Sequence, residues 1–143
     1  YLHGHKPAIV HGDLKPGNIL LELNASSVRA KVLDFGLSRM VSKSAKPLGG
    51  SLAWMAPELF RRTRPQPSAM ADIYSFGRIA HYTATGLNAL SHESKETITN
   101  MLRTCNLPIC HWPAEPSPFV AACRALADAC LALEPTARPT AEV

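Results

Sequence analysis

The sequence predicts a mainly α-helical domain that carries short β-hairpins, an α+β arrangement. Three observations support this. Apolar residues recur at three- and four-residue spacing over residues 69–85 and 118–133, which is typical of helices. Short apolar runs at residues 8–10, 19–21 and 28–33 are separated by polar turns, which is typical of strands. At 143 residues, the chain is one domain or part of one.

The composition excludes some classes of protein. No run approaches the roughly 18 apolar residues of a membrane span, so we expect no membrane segment. The net charge is +4, but the basic residues are scattered. They predict a solvated face or a substrate groove rather than a nucleic-acid site, and the loosely grouped ones are Lys43, Lys46, Arg61, Arg62 and Arg64.

The cysteines form no C-x-x-C pair, and two of them lie among alanines in a helical pattern. We expect reduced, buried thiols in an intracellular, cytoplasmic protein. The grouping of Cys105, Cys110 and His111 leaves a zinc site as the alternative.

Residues 11–21 read H-G-D-L-K-P-G-N-I-L-L and place an acid, a cation and an amide between two apolar runs. The runs predict short buried strands, and the Pro-Gly pair between them predicts a turn. Asp13, Lys15 and Asn18 should therefore lie on a tight loop that the strands hold rigidly. Active sites are commonly built in this way.

A second strand over residues 28–33 ends at Asp34-Phe35-Gly36, so the carboxylate of Asp34 could face the same loop. Residues 37–55 are rich in Ser, Lys and Gly and predict a long loop, which is usually functional inside a compact domain. Ser42 and Ser44 are its candidates for phosphorylation.

The first long helix has Ser68 as a plausible N-cap and Gly86 just beyond its end. The positions that recur in it at three- and four-residue spacing are Ile73, Phe76, Ala80, Thr83 and Leu87. A second helix is expected over residues 93–104, and four prolines then exclude long regular structure. Ser117 followed by proline begins the last helix. Its predicted buried stripe is Val120, Cys123, Leu126 and Cys130.

Five motifs, in this order, resemble those of protein kinases. The family forms are H-x-D-x-K-P-x-N, D-F-G, G-T-x-x-W-M-A-P-E, D-x-W-S-F-G and C-L-x-x-D-P-x-x-R-P-T. Their counterparts here are residues 11–18, 34–36, 50–58, 72–77 and 130–140, with Ser51 in place of Thr and Tyr74 in place of Trp. The resemblance implies that residues 1–143 are a partial kinase domain, the larger C-terminal lobe from the catalytic loop to the R-P-T motif. The forms W-M-A-P-E and C-L…R-P-T resemble the tyrosine-kinase-like group of Ser/Thr kinases.

The resemblance also implies roles for the motif residues. Asp13 would accept the proton of the substrate hydroxyl, and Lys15 would neutralise charge on the transferring phosphoryl group of ATP. Asn18 and Asp34 would hold Mg²⁺ at the ATP phosphates. Ser51 takes the place of the family's Thr and keeps a hydroxyl that can bond towards Asp13 and Lys15.

Other motif residues would support the site. Asp72 would hold the catalytic-loop backbone, and the simple role of a first-turn acid favoured by the helix dipole is compatible with this. Arg138 would pair with Glu58. Gly12 departs from the family, which usually has Arg there to bind a phosphate on the activation loop. Either the protein has drifted to inactivity or its loop is ordered without phosphate, and the intact Asp13 favours the latter.

The implied function is an ATP-dependent Ser/Thr kinase acting on protein substrates; Lys15 and Ser51 favour Ser/Thr over Tyr. The alternative is a non-catalytic, kinase-like interaction module. Small-molecule phosphotransferases also use an H-G-D…N loop, but they have no counterpart of the A-P-E motif or of Arg138. The sequence contains no G-x-G-x-x-G and no V-A-I-K, so the N-terminal lobe is absent and we expect residues 1–143 alone to be inactive.

Overall fold

A computed structural model describes residues 2–35, 39–40, 51–60, 68–88 and 90–141, with the backbone alone at positions 39 and 40. This described part contains strands and helices in the α+β arrangement that the sequence predicts. They are β1 (Ile9–Val10), β2 (Ile19–Asn24), β3 (Ser27–Val32), β4 (Arg39–Met40), α1 (Ala69–Thr85), α2 (Lys95–Thr104) and α3 (Pro118–Cys130).

The strands form two separate antiparallel pairs. β1 pairs with β4, so Val10 lies opposite Arg39. β2 and β3 form the predicted hairpin, which runs from the pair Ile19 and Val32 to the turn beyond Asn24. The prediction that residues 19–21 are buried is wrong. Leu21, for example, is 59% exposed, because no further layer of the described chain covers this two-stranded ribbon.

Helix α1 is the centre of the fold, and its predicted bounds are confirmed. The Ser68 hydroxyl accepts the Ala71 N–H at 3.3 Å, and Gly86 adopts φ 71° and donates its N–H to the Tyr82 carbonyl at 2.7 Å. The positions that recur at helical spacing do not form one buried face. Residues 71–81 are buried all round apart from Phe76, and three of the recurring positions are exposed, Phe76, Thr83 and Leu87.

Helix α3 packs against α1 at an unusually close distance. A Cβ atom added to Gly77 would lie 2.8 Å from the Cβ of Cys130, so only glycine permits this approach. α3 therefore buries its small residues Ala127 and Cys130, whereas Leu126 is 44% exposed. The predicted stripe is wrong at Leu126 and only half-buried at Val120 and Cys123. Cys105 and Cys110 are also only half-buried, so burial of the thiols holds for Cys130 alone.

Helix α2 begins two residues later than predicted, because the Ser94 hydroxyl caps it by accepting the Thr97 N–H at 3.1 Å. Its Ile98 and Leu102 form a buried cluster with Leu90, against the 3-10 turns Leu52–Trp54 and Pro57–Phe60. None of the described helices is long and apolar enough to cross a membrane. Several residues named above lie outside the described part: Gly36, Ser42, Lys43, Ser44, Lys46, Gly50, Arg61, Arg62 and Arg64.

Candidate active site

Asp13 lies on the loop between β1 and β2 and is held through both carboxylate oxygens. Its Oδ2 accepts a hydrogen bond from Lys15 Nζ at 2.7 Å, and its Oδ1 accepts the backbone N–H of Ser51 at 3.0 Å. Burial raises the pKa of Asp13, but the hydrogen bonds from Lys15 and Ser51 outweigh it and bring the pKa below its ordinary value. The carboxylate is therefore ionised at neutral pH, in a side chain that is 10% exposed.

Lys15 joins this loop to the segment that contains Ser51. Its ammonium donates to Asp13 and also to the Ser51 hydroxyl oxygen, at 3.0 Å. The resemblance pointed to the Ser51 hydroxyl as the bonding group for both side chains, but it is the Ser51 N–H that binds Asp13. The Lys15 side chain is 29% exposed, so its charge can reach a bound anion.

Asn18 is buried at the end of the 3-10 turn Pro16–Asn18. Its Nδ2 donates to the backbone carbonyl of Asp13 at 2.9 Å and lies 3.4 Å from Asp13 Oδ2. Both neighbours are acceptors, which identifies the atom facing them as the NH₂ group. The amide oxygen makes no hydrogen bond within the described part of the chain and can bind a cation.

Asp34 follows β3 and is placed beside the loop by its neighbour Leu33. The Leu33 N–H donates to the Asn18 carbonyl at 2.8 Å, and the Leu33 carbonyl accepts from His11 Nε2 at 2.9 Å. His11 Nδ1 accepts the Asp13 N–H at 3.2 Å, so Nε2 carries the ring proton. The sequence assigned no role to His11, although it is the first residue of the loop motif. Asp34 itself adopts φ 59° and is exposed.

Asp72 at the start of α1 fixes the backbone of the loop. Its carboxylate accepts the N–H groups of His11 at 2.7 Å and Gly12 at 2.9 Å, and His3 Nε2 lies 3.0 Å away. The sequence pattern did not point to His3. Gly12 adopts φ 81°, a conformation that strains any residue with a Cβ atom. Glycine in place of the family's Arg therefore suits the backbone conformation that Asp72 holds at this position.

Arg138 and Glu58 form the expected pair in fork-to-fork geometry. The distances are 2.6 Å from Arg138 Nη1 to Glu58 Oε1 and 2.8 Å from Nη2 to Oε2. The guanidinium also donates to the carbonyls of Met70, Ala132 and Leu133. All five N–H donors of arginine are thus used, with the side chain fully buried. The pair ties the segment with Ser51 to the end of the chain.

Comparison with known proteins agrees with this geometry. The family model described as protein kinase domain matches residues 1–143. The chain belongs to the protein kinase family. Asp13, Lys15, Asn18 and Asp34 are thus residues of a kinase domain, and Asn18 and Asp34 offer the hard oxygen atoms that Mg²⁺ prefers. These two residues fit the ion that accompanies ATP in this family.

Relatives of this kinase domain occur in animals and plants. Ankyrin repeat and protein kinase domain-containing protein 1 of Homo sapiens is 40% identical over 83 residues, which are 53% of this chain and 10% of that protein. Leaf rust 10 disease-resistance locus receptor-like protein kinase-like 2.3 of Arabidopsis thaliana is 38% identical over 106 residues, which are 70% of this chain and 16% of that protein. Receptor-interacting serine/threonine-protein kinase 3 of Homo sapiens is 40% identical over 82 residues, which are 54% of this chain and 15% of that protein. The chain therefore spans less than a fifth of each relative.

Proposed function

We propose that residues 1–143 are the C-terminal lobe of a Ser/Thr protein kinase of the tyrosine-kinase-like group. The complete enzyme would transfer the γ-phosphate of ATP to serine and threonine hydroxyls of protein substrates. The cluster of Asp13, Lys15 and Ser51 carries this proposal. The ionised carboxylate of Asp13 and the ammonium of Lys15 lie 2.7 Å apart, and both bind Ser51. Phosphoryl transfer requires charged groups that are held in position in this way.

Asp13 is the residue that would orient the substrate hydroxyl. Phosphoryl transfer depends mainly on positioning and on stabilisation of charge, so the base need not be strong. With its pKa lowered, Asp13 is available as an acceptor at neutral pH. It would accept the hydroxyl proton as the bond from oxygen to the γ-phosphorus forms. The hydrogen bonds from Lys15 and Ser51 fix the carboxylate in one orientation.

Lys15 would stabilise the charge that develops on the transferred group. An ammonium has three N–H donors, and two of them bind Asp13 and Ser51. The third has no hydrogen-bond acceptor among the described residues and would bind a phosphoryl oxygen. Because Lys15 is anchored on two sides, it needs no reorganisation as negative charge builds up.

Asn18 and Asp34 would hold Mg²⁺, which when bound neutralises charge on the ATP phosphates. The amide oxygen of Asn18 is available for this, and Leu33, the residue before Asp34, is hydrogen-bonded to the same loop, which supports the assignment of Asp34. The other half of the ATP site would come from an N-terminal lobe, because this sequence contains no glycine-rich loop or V-A-I-K. Residues 1–143 alone would then be inactive. An intracellular, cytoplasmic location accords with the free thiols.

The second candidate function is a non-catalytic interaction module, and Gly12 is the observation that favours it. Against it, a module that only binds partners has no need for an aligned acid, cation and metal-binding pair. The test is to incubate the complete protein with Mg²⁺ and ATP and with peptides that offer serine, threonine or tyrosine. We expect transfer to serine and threonine. Transfer to tyrosine alone would contradict the specificity, and no transfer to any peptide would favour the interaction module.

A further inference from the structure

A second cavity, of about 290 Å³, lies between α1, α3 and the segment that follows α2. Six of the residues around it are Tyr74, Arg78, Leu107, Cys110, Asp128 and Leu131. None of the residues that line it belongs to the cleft beside Asp13 and Ser51. Its size is close to that of pockets that bind small organic molecules, and nothing in the proposed phosphoryl transfer uses it.

Arg78 places a buried charge in the wall of this cavity. The residue is 5% exposed, and its Nε atom is buried without a hydrogen-bond partner. No carboxylate of the described residues lies within 4.0 Å of its guanidinium nitrogens. A buried guanidinium is costly unless it is paired and hydrogen-bonded. Arg138, whose Cζ lies 5.0 Å from the centroid of the Tyr74 ring, is the contrast, because all its donors are satisfied.

The neighbours of Arg78 do not neutralise its charge. Burial raises the pKa of the Tyr74 hydroxyl and of the Cys110 thiol, and the positive charge of Arg78 and hydrogen bonds from its side chain oppose this only in part. Both groups are therefore neutral at pH 7. Asp128 also lines the cavity, but its carboxylate lies 3.6 Å from Arg124 and its side chain is 56% exposed. Its charge reaches the Cys110 thiol, whose pKa it helps to raise, but solvent and Arg124 weaken it and it forms no ion pair with Arg78.

We propose that this cavity binds a small organic carboxylate with a compact apolar body. The carboxylate would pair with the two Nη atoms of Arg78, because Nε is buried beyond the reach of a ligand. The apolar body would pack against Leu107, Pro108 and Leu131. A single cation and the nearby Asp128 favour a monoanion over a doubly charged phosphate. The apolar wall favours an organic anion over an inorganic one.

The reactivity of Cys110 tests this proposal directly, because its thiol lies in the cavity wall. The complete protein is treated with N-ethylmaleimide, with and without benzoate, and alkylation of each cysteine is followed by mass spectrometry. At ten times its dissociation constant, a ligand leaves about one-tenth of sites free, so benzoate should slow alkylation of Cys110 about ten-fold. Cys123 on α3 lies outside the cavity and is the internal reference. Benzamide, a neutral molecule of the same shape, should protect neither thiol.

The variant Arg78→Met removes the charge and keeps the unbranched stem, and it should lose protection by benzoate. Arg103→Met removes an exposed guanidinium outside the cavity and should keep it. Equal protection by benzoate and benzamide in the wild-type protein would overturn the proposal even if Arg78→Met did not fold. Absence of protection at millimolar benzoate, or benzoate protection that persists in Arg78→Met, would also overturn it. Protection by inorganic phosphate instead would contradict the choice of a carboxylate.

Discussion

Replacing Arg138 with methionine should destabilise the domain more than any surface change. In the structure, the guanidinium binds both oxygens of Glu58 and three backbone carbonyls, those of Met70, Ala132 and Leu133. The Glu58 side chain is only 13% exposed, so its carboxylate would be left buried without a partner. Removal of one member of a buried pair costs about 3–5 kcal/mol of unfolding free energy. Because the three backbone carbonyls also lose their donor, the loss of unfolding free energy for this variant should lie at the upper end of that range.

A double-mutant cycle separates the pair from its surroundings. Arg138→Met, Glu58→Gln and the double variant are unfolded in urea and followed by tryptophan fluorescence. The double variant should lose less than the sum of the single losses, by about 2 kcal/mol, because no charge is then left unpaired. Arg124→Met is the matched control: its partner Asp128 is exposed at 3.6 Å, so the loss should stay below about 1 kcal/mol. Additive losses below about 1 kcal/mol for the pair would refute the reasoning.

Two further predictions concern the catalytic loop. Gly12→Ala should lower the unfolding free energy by roughly 1–2 kcal/mol, because Gly12 adopts φ 81°. A Cβ atom added by Gly17→Ala in the same loop would have no atom within 4 Å, so this variant should change the unfolding free energy little. Equal losses of unfolding free energy in the two variants would contradict the argument. The pKa of Asp13 is lowered by folding, so its ionised form stabilises the domain above roughly pH 4 and this gain disappears at lower pH. The stability difference between wild type and Asp13→Asn should therefore shrink below pH 4, and a constant difference would contradict it.

Local signals in the sequence account for the elements that were predicted well. Ser68 and Gly86 bracket α1 because a cap hydroxyl and a left-handed residue act within one turn of the helix. The β2–β3 hairpin likewise follows from its apolar runs and polar turn. The ion pair of Glu58 with Arg138 spans 80 residues. Only resemblance to a known family could point to it, since no local pattern connects the two positions.

Burial could not be read from periodicity, because it depends on what packs against each face. α1 is enclosed on nearly every side, so polar Arg78 is buried while Phe76 is exposed. α3 buries small residues because Gly77 brings the two helices into contact. A pattern search looks for large apolar residues and therefore selected Leu126, which is exposed. The charge of Arg78 stood out only when the structure placed it in a cavity without a carboxylate partner.

The rate of phosphoryl transfer by Asp13→Asn in the complete protein tests the central claim most directly. Single-turnover transfer from ATP to a serine peptide is measured together with the affinity for Mg²⁺-ATP. If Asp13 orients the hydroxyl and Asp34 holds the metal, as we propose, Asp13→Asn should slow transfer by about 100-fold or more and leave the nucleotide affinity nearly unchanged. Asp34→Asn should weaken that affinity, and the exposed control Asp128→Asn should change neither quantity. Transfer at the wild-type rate by Asp13→Asn would contradict the account.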